Sequence, residues 1–396
     1  MSRVPIVDVS PGAIAAADIA AAAQLACLLE ATAPKPGNVS PGRRFDDIAY
    51  EHFLASAAAI GGPLSGAGTC PLGATVRLAI EATARWSSSN TNLGIVLLLA
   101  PLARAAHDLP VTGVGLKADS TADSDSIVSG ISPPSADADK VVSGVSRTRD
   151  DPSSVVSGFP PSRRFRLRVK RSGATSTKLE ERSRAGEARR AERGSRTSDN
   201  PDSLATGFSR ALRDAARHVL DATTVDDARE VYAAIRCAAP GGLGRVEAQD
   251  VANEPDVTLL EAMRLAAGRD GIAREYATAF EVTFGTGVPA LDCARRDGLS
   301  WSDAVLETFL TLLAAAPDTH VVRRGGSALA EEVSRRARAV LDGGGVRSAA
   351  GRRAIDAMDV ALRDKRHTAN PGTTADLTAA AIFVVLLAGG WTRQAP

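Results

Sequence analysis

The chain has 396 residues, 44% of them hydrophobic and 4% aromatic, enough for two domains or for one large domain with an insertion. Its 47 basic and 46 acidic residues leave a formal net charge of +1, which gives no overall attraction to nucleic acid or to a membrane surface. Apolar residues recur at helical spacing in the long stretches between prolines. This pattern predicts an all-α fold, a single large multi-helix domain interrupted by a low-complexity insertion.

Two helix-forming flanks surround a polar middle segment. We expect residues 1–110 and 206–396 to be the two parts of one helical catalytic domain, and residues 111–205 to be a disordered insertion. The apolar periodicity predicts helices over residues 13–31, 50–60, 73–85, 92–107, 206–221, 225–237, 257–267, 270–283, 302–315, 327–341, 350–363 and 374–388.

The middle segment contains a short repeat and a basic stretch. The phrases IVSGI, VVSGV and VVSGF begin at residues 127, 141 and 155, a period of 14 residues that is too short and too polar for a solenoid repeat. From Arg163 to Arg196 there are 13 basic residues against 4 glutamates, with Phe165 as the one aromatic residue. We interpret the segment as a solvated tether, and a polyanion-binding arm is the alternative.

Cysteine spacing and apolar run length bear on the compartment. Cys27, Cys70, Cys237 and Cys293 are far apart and form no CxxC pair, which predicts reduced core thiols in a cytoplasmic protein. The most apolar segment, Leu377 to Ala388, is much shorter than the roughly 20 residues that cross a bilayer. We therefore expect a buried helix there, no membrane span, and no signal peptide at the N-terminus.

The first polar loop is APKPGN, which follows an alanine-rich helix. A proline restricts the residue before it and fixes its own φ, so the helix must end before Pro34 and Lys35 is held extended. Gly37 then permits a positive φ, and Asn38 follows it. The segment is either a helix stop with a solvated lysine or a device that aims the Lys35 ammonium at a phosphate.

The second polar loop is SSSNTNLG, directly ahead of the apolar run IVLLLAPLA. Ser and Asn residues before an apolar helix indicate an N-cap, and the free amides and dipole at a helix start favour anions. Capping needs one such residue, whereas six polar residues stand in succession here. We therefore expect a polar pocket wall, in which Asn90, Thr91, Asn92 and Gly94 are the candidate anion-binding residues.

The third polar loop is PDTHVVRRGG, between two amphipathic helices. Arg323 and Arg324 suit a phosphate-binding turn because arginine offers paired donors, and Gly325 lets backbone amides approach. Asp318 and His320 add a carboxylate and an imidazole. A histidine in such a position is as readily structural as catalytic.

The fourth polar loop is NPGTTADL, at the start of the last apolar helix. Gly372, Thr373 and Thr374 form the helix start, where capping hydroxyls and free amides suit a phosphate. Asp376 lies in the first turn and would repel a phosphate unless a cation lies between them. It is therefore either a magnesium ligand or an ordinary first-turn aspartate.

A further acidic segment, DVANEPDV, covers Asp250 to Val257. Its carboxylates resemble a cation site, but Pro255 and Asp256 just before a predicted helix are also ordinary capping chemistry. We favour the structural interpretation.

Together the motifs resemble a known family. PKPGN, FDDIAYEHFLASA, SNTNLG, DTHVVRRGG and NPGTTADL occur in the order and approximate spacing of the triphosphoribosyl-dephospho-CoA synthase family. The resemblance covers about residues 25–102 and 208–387 and leaves the insertion out. Each motif alone is weak, but the ordered set is fairly specific.

The resemblance implies an all-helical transferase that moves the triphosphoribosyl group of ATP to the ribose 2′-hydroxyl of 3′-dephospho-CoA and releases adenine. It implies ATP as a substrate and Mg²⁺ bridging its phosphates, small-molecule partners rather than nucleic acid, and it leaves a homo-oligomer open. The implied metal ligands are Asp47, Asp318 and Asp376, and the implied catalytic residues are Asp47, Asp318 and His320.

The second motif departs from the family pattern. Better-known members have a sequence similar to TNTHKG, so that Asn92 stands at a histidine position and Leu93 at a lysine position. Losing a lysine removes one cation from a phosphate site. The alternative is therefore an enzyme of the same scaffold that acts on a different nucleotide or cofactor precursor.

Overall fold

The computed structural model describes residues 14–109 and 204–391, and this part of the chain is helical. The helices are α1 Ala16–Thr32, α2 Tyr50–Ala59, α3 Gly61–Ser65, α4 Leu72–Ala84, α5 Leu93–His107, α6 Leu204–Asp221, α7 Val225–Ala238, α8 Leu259–Ala266, α9 Gly271–Ala277, α10 Val288–Arg296, α11 Trp301–Ala315, α12 Thr319–Gly325, α13 Ser327–Asp342, α14 Ala349–Leu362 and α15 Gly372–Leu387. A π-helical turn covers Thr283–Gly287 and a 3₁₀ turn Gly345–Arg347. Within these ranges, pairing of the β type is limited to an isolated bridge between Ser40 and Arg43, so the all-α prediction is confirmed.

Two helices that are apolar on all sides form the centre of the main core. A helix without a polar face must be surrounded by protein, and both α5 and α15 are buried along nearly their whole length. Helix α15 packs against α1, α5 and α11. This confirms the expectation of a buried helix at Leu377 to Ala388, and it places the polar starts of α5 and α15 side by side.

A second hydrophobic cluster lies between α11, α13 and α14. Phe309 and Leu313 of α11 pack with Val333 of α13 and Ile355 of α14. Helix α11 also contributes to the main core, so it joins the two clusters. The described residues all belong to one compact unit; the other unit, Lys117–Asn200, falls outside them, and so does most of the predicted insertion.

Each predicted helix has a counterpart in the structure, but α3 and α10 were not predicted. Two further segments differ from the expectation. The third motif, expected to be a loop, contains the short helix α12, because Asp318 accepts a hydrogen bond from the Val321 amide and caps it. Residues 270–283, expected to be one helix, are divided after α9. There Ala279 and Phe280 have φ of 49° and 59°, and the buried Glu275 carboxylate accepts hydrogen bonds from the next turn.

The four cysteines are free thiols, as expected, but they are not all core residues. Cys27 is buried and Cys70 half-buried, whereas Cys237 and Cys293 are exposed. The prediction of core thiols is therefore wrong for the last two, which lie near the ends of amphipathic helices.

Membrane-spanning potential can be assessed for residues 14–109 and 204–391. No single helix there combines the length and the apolar character needed to cross a bilayer. Helices α11 and α12, which meet at an angle of 62°, together reach the length and apolar composition of a membrane span.

Candidate active site

A cleft of about 760 Å³ lies among the described residues. One part of the lining, here called the motif wall, consists of Asn38, residues 90–94, His320, Arg323, Arg324, Asn370, Gly372, Thr373, Ala375 and Asp376. Another part, here called the loop wall, comes from the segment 238–250 between α7 and α8. All four motif loops identified in the sequence thus meet at one cleft.

The second and fourth motifs meet at Gly94. A Cβ on Gly94 would lie 2.0 Å from Oδ2 of Asp376, so any side chain there would collide with the carboxylate. Asp376 lines the cleft, and neither of its oxygens bonds to another described residue. Glycine is therefore required at this position for the start of α5 to approach Asp376.

The start of α5 is built by its own polar residues. The Asn90 carboxamide oxygen accepts a hydrogen bond from the Leu93 amide at 3.0 Å, as the capping pattern predicted. Thr91 bonds to Ser56 at 2.5 Å, and Asn92 donates to Thr83 at 3.2 Å. Asn90 is exposed in the cleft, whereas Thr91 and Asn92 are buried in its wall.

Asp318 joins the third and fourth motifs. Its Oδ2 accepts hydrogen bonds from the amide and hydroxyl of Thr374, both at 2.7 Å, while its Oδ1 caps α12. The side chain is 3% exposed and does not line the cleft. Asp318 and Thr374 therefore hold the starts of α12 and α15 together behind the wall.

Asn370 connects the first, third and fourth motifs. Its backbone oxygen accepts a hydrogen bond from Nδ1 of His320 at 2.8 Å, and its side-chain oxygen accepts one from Asn38 at 2.6 Å. A proton on Nδ1 leaves Nε2 of a neutral His320 as a free acceptor. Burial is the main cause that lowers the pKa of His320 below its ordinary value of 6.5, so the ring is neutral at pH 7.

The two arginines of the third motif have different surroundings. Arg323 is half-buried and bonds to Asp270 at 3.2 Å, and its Nε is buried without a partner. Arg324 is exposed and donates to the backbone oxygen of Arg366 at 2.6 Å. Both line the cleft, and Arg324 keeps most of its donors available to a ligand.

Asp47 lies at the rim of the cleft. It is exposed, and its Oδ1 is 3.9 Å from Nε2 of His367. The His367 ring stacks on the Phe45 ring with centroids 3.7 Å apart, and the Arg363 guanidinium lies over the Phe45 ring. This cluster holds the loop before α2 against the loop before α15.

Lys35 is completely buried and does not line the cleft. Its Nζ lies 2.9 Å from Oε1 of Glu30, and it also donates to the backbone oxygens of Glu30 and Ala33. The restricted backbone predicted for this loop is present: Gly37 has a φ of 76° and its amide donates to Asp359. The phosphate-binding role of Lys35 stays a prediction, and in this structure its ammonium faces Glu30.

The predicted metal ligands do not form one cluster. Within the described residues there is no group of three His, Cys, Asp or Glu side chains that could hold a metal ion. Asp318 is engaged by hydrogen bonds, Asp47 is at the rim, and Asp376 is in the cleft. Burial, followed by the charges of Glu30, Asp318 and Asp270, raises the pKa of Asp376 well above its ordinary value.

The predicted site residues divide into two groups. Those that line the cleft are Asn38, Asp47, Asn90, Thr91, Asn92, Gly94, His320, Arg323, Arg324, Gly372, Thr373 and Asp376. Those that do not are Lys35, Gly37, Asp318, Gly325 and Thr374. The second group lies directly behind the first and fixes its position.

Sequence reasoning missed part of the cleft. Glu30 lines the cleft but was not predicted, because in sequence it looks like an ordinary helix residue. The segment APGGLGR of the loop wall was not predicted either, although glycines followed by Arg245 indicate a ligand-binding loop. The segment GRDG, with Arg269 and Asp270, has the same kind of pattern. Asp250, by contrast, has the structural role that was expected, because it accepts hydrogen bonds from the amides of Val246 and Ala252.

Comparison with known families identifies a match over most of the chain. Residues 16–149 and 203–394 match the model of the CitG family, described as ATP:dephospho-CoA triphosphoribosyl transferase. The matched ranges include every motif of the cleft.

Individual relatives are more distant. The chain is 37% identical over 113 residues to a protein of Stutzerimonas stutzeri named "Probable 2-(5''-triphosphoribosyl)-3'-dephosphocoenzyme-A synthase", covering 28% of this chain and 38% of that protein. A Pseudomonas putida protein of the same name is 33% identical over 135 residues, covering 34% and 48%. The chain thus spans less than half the length of these curated relatives. A solved structure from Archaeoglobus fulgidus, also named for triphosphoribosyl-dephospho-CoA synthase, is 21% identical with a TM-score of 0.49, covering 86% of this chain and 99% of that one.

Proposed function

The chain belongs to the CitG family of ATP:dephospho-CoA triphosphoribosyl transferases, and on that premise we propose that it moves the triphosphoribosyl group of ATP to the ribose 2′-hydroxyl of 3′-dephospho-CoA. The C1′–N9 bond of ATP breaks and its electron pair leaves with adenine. The acceptor oxygen bonds to C1′, and the hydroxyl proton passes to a base while adenine takes up a proton. The observation that carries the proposal is the meeting of four motif loops at one cleft with arginines and unpaired acceptors on its wall.

The cleft supplies groups suited to a triphosphate. Arg323 and Arg324 lie on the motif wall, and Arg269, just before α9, also lines the cleft. Arginine gives paired, charge-assisted hydrogen bonds to phosphate oxygens. The start of α15 adds the Thr373 position at the cleft and a favourable dipole. The neighbouring amides of Gly372 and Thr374 are already bonded within the protein.

Magnesium fits one position in this arrangement. Mg²⁺ is commonly held by one or two carboxylates together with substrate phosphates, and Asp376 offers a carboxylate that no described residue engages. Asp376 would hold the ion, which would neutralise phosphate charge near the starts of α5 and α15. Asp47 lies at the rim of the cleft and Asp318 does not line it, so neither is placed to share the ion with Asp376.

His320 is the proposed base for the acceptor hydroxyl. It lines the cleft, its ring is neutral at pH 7, and its Nδ1 bond to Asn370 leaves Nε2 able to accept a proton. The hydrogen bond to a backbone oxygen also fixes the orientation of the ring.

The test is adenine release by the full-length protein. We expect incubation with ATP, Mg²⁺ and 3′-dephospho-CoA to yield equal amounts of free adenine and of an acceptor that is heavier by the triphosphoribosyl group. Chromatography measures the adenine and mass spectrometry measures the product. Reactions without acceptor control for hydrolysis of ATP, and no adenine above the protein-free background would reject the proposal.

One observation favours a second candidate, an enzyme of the same scaffold with a different acceptor. Leu93, at the family's lysine position, lines the cleft at 7% exposure and packs in the main core. The cleft therefore lacks that cation. Adenine release that is faster with another nucleotide bearing a free ribose hydroxyl than with 3′-dephospho-CoA would support this candidate.

The remaining expectations stay predictions. The polyanion-binding alternative concerns Arg163 to Arg196, which lie outside the described residues. The cytoplasmic location depends on the cysteine pattern, and a homo-oligomer stays open.

A further inference from the structure

A buried ion pair lies directly behind the cleft. Lys35 is 0% exposed and Glu30 4% exposed, and their charged groups are 2.9 Å apart. Two further bonds from Nζ, to the backbone oxygens of Glu30 and Ala33, leave the lysine with no donor directed at solvent. Lys35 is the one cation that pairs with Glu30 among the described residues.

Stability alone does not account for this pair. Removing two charges from water costs several kcal/mol per ion, and apolar replacements of buried ion pairs are often as stable or more stable. The chain nevertheless keeps both charges inside. A buried pair of this kind invites a functional explanation when one partner reaches a site.

Only one member of the pair reaches the cleft. Glu30 lines it, whereas Lys35 lies behind Glu30. Asp376 lines the same cleft, and after burial the charge of Glu30 is the largest cause that raises the pKa of Asp376. Both carboxylates therefore belong to one cleft.

We propose that Glu30 is a catalytic carboxylate of the cleft, which stabilises the positive charge that develops at C1′ of the transferred ribose, and that Lys35 is its positioning residue. This inference rests on the proposed function. As the C1′–N9 bond breaks, its electron pair leaves on adenine and C1′ becomes electron-poor until the acceptor oxygen bonds to it. Glu30 forms no bond and exchanges no proton, because the hydroxyl proton goes to His320 and adenine takes its proton from water.

The Lys35 contact suits this role. A fixed negative charge close to an oxocarbenium-like sugar stabilises it. The Lys35 ammonium holds the Glu30 carboxylate in place through one contact, 2.9 Å from Oε1, and its bonds to the backbone oxygens of Glu30 and Ala33 hold the ammonium itself. Lys35 then acts on ATP through Glu30 and not by contact with a phosphate.

The test compares Glu30→Gln, Lys35→Met and the double variant in the full-length protein. We expect each single variant to lower kcat for adenine release roughly 100-fold, since Glu30→Gln removes the carboxylate charge and Lys35→Met removes the contact that holds the carboxylate in place. The Kd for ATP should change by less than about twofold, and the double variant should be no slower than Glu30→Gln. Circular dichroism and thermal unfolding report folding, and Lys35→Arg, which keeps the cation, should recover part of the rate.

The double variant also guards against misfolding, because it removes both charges and leaves none uncompensated. The matched control replaces the exposed pair Arg77 and Glu81 in the same way, and it should leave kcat unchanged. A folded Glu30→Gln protein with normal kcat would overturn the inference. The inference would also be overturned if Lys35→Met raised the Kd for ATP tenfold and if its decrease in kcat added to that of Glu30→Gln in the double variant. Lys35 would then bind phosphate directly. No adenine from the unaltered protein would reject the proposed function and the inference with it.

Discussion

The two walls of the cleft are built in different ways. The motif wall is joined by hydrogen bonds between residues far apart in sequence, such as Asn38 to Asn370 over 332 positions and Thr374 to Asp318 over 56. The loop wall is held by short-range bonds, such as Tyr232 to Gln249 over 17 positions. The motif wall is therefore fixed by the whole fold, whereas the loop wall sets its own shape.

The backbone of the loop wall shows the same contrast. Ala239, Gly242, Gly244 and Gln249 all have positive φ, and the segment lies largely at the surface. Gly242 has room for a Cβ no closer than 3.4 Å to Arg323, so this loop approaches the motif wall at the arginines. We infer that the motif wall carries the chemistry on ATP and that the loop wall selects the acceptor.

The largest expected effect is at Asp376 in the motif wall. We predict that Asp376→Asn lowers kcat for adenine release roughly 100- to 1,000-fold, because it replaces the carboxylate proposed to hold the magnesium ion on the phosphates. Asp226→Asn, an exposed aspartate in the first turn of α7, is the matched control and should be unaffected. A normal rate in a folded Asp376→Asn protein would place the chemistry elsewhere.

His320 should give the next effect. We predict that His320→Gln lowers kcat roughly 100-fold, in line with loss of a general base. Because burial lowers the pKa of His320 below 6.5, the rate of the unaltered protein should be constant near neutral pH and decrease as the pH falls and the ring is protonated. The same shift makes folding stability decrease with falling pH, so unfolding is measured at each pH. His218→Gln, on the exposed face of α6, should keep the full profile, and an acid limb that survives in His320→Gln would exclude this base.

Gly94→Ala tests the close approach of α5 to Asp376. The added Cβ would lie 2.0 Å from Oδ2, so we predict that the carboxylate is displaced, with a loss of about 1–3 kcal/mol in unfolding free energy or an equivalent loss of activity. Gly207→Ala in α6 has open space and should stabilise the protein slightly. The measurements are thermal unfolding and kcat. Unchanged values in Gly94→Ala would contradict the observed contact.

Arg324→Gln should change binding more than chemistry. Loss of one charge-assisted contact to phosphate should raise the Kd for ATP about tenfold, with kcat much less affected. Arg336→Gln, exposed on α13, is the control. Calorimetric titration with ATP measures the difference, and equal Kd values for the two variants would remove Arg324 from the phosphate site.

The smallest effect is expected in the loop wall. Gly244→Ala meets no neighbour but forces alanine to a φ of 68°, which costs about 1 kcal/mol. We predict a rise of a few fold in KM for the acceptor and an unchanged Kd for ATP. A larger effect on ATP than on the acceptor would reverse the roles assigned to the two walls.

The sequence predicted the motif wall better than the loop wall for a physical reason. Capping residues, prolines and glycines around Lys35, Asn90 and Asp376 follow local rules, so they could be recognised one motif at a time. The pairing of Lys35 with Glu30 could not, because an extended lysine looks the same in sequence whether it faces a phosphate or a buried carboxylate.

Two of the fold elements that were predicted wrongly, α12 and the break after α9, each depend on a single side chain. Helix α12 has seven residues, too few to show periodicity, and it exists because Asp318 caps it. The break after α9 depends on the buried Glu275, whose carboxylate binds amides of the next turn. Both contacts span only three to eight residues, and the stretches that they organise are too short to show apolar periodicity.

Asn370 has one further consequence, for the order in which the protein acquires its site. Gly37 and Asn38 are among the first described residues to leave the ribosome, but their partners Asp359, Arg363 and Asn370 follow more than 320 positions later. Closing loops of that length is slow compared with forming local helices. The cleft is therefore completed only after the start of α15 has been synthesised, and a nascent chain that ends before Asn370 has α1 to α14 but lacks the part of the motif wall that Asn370 and α15 supply.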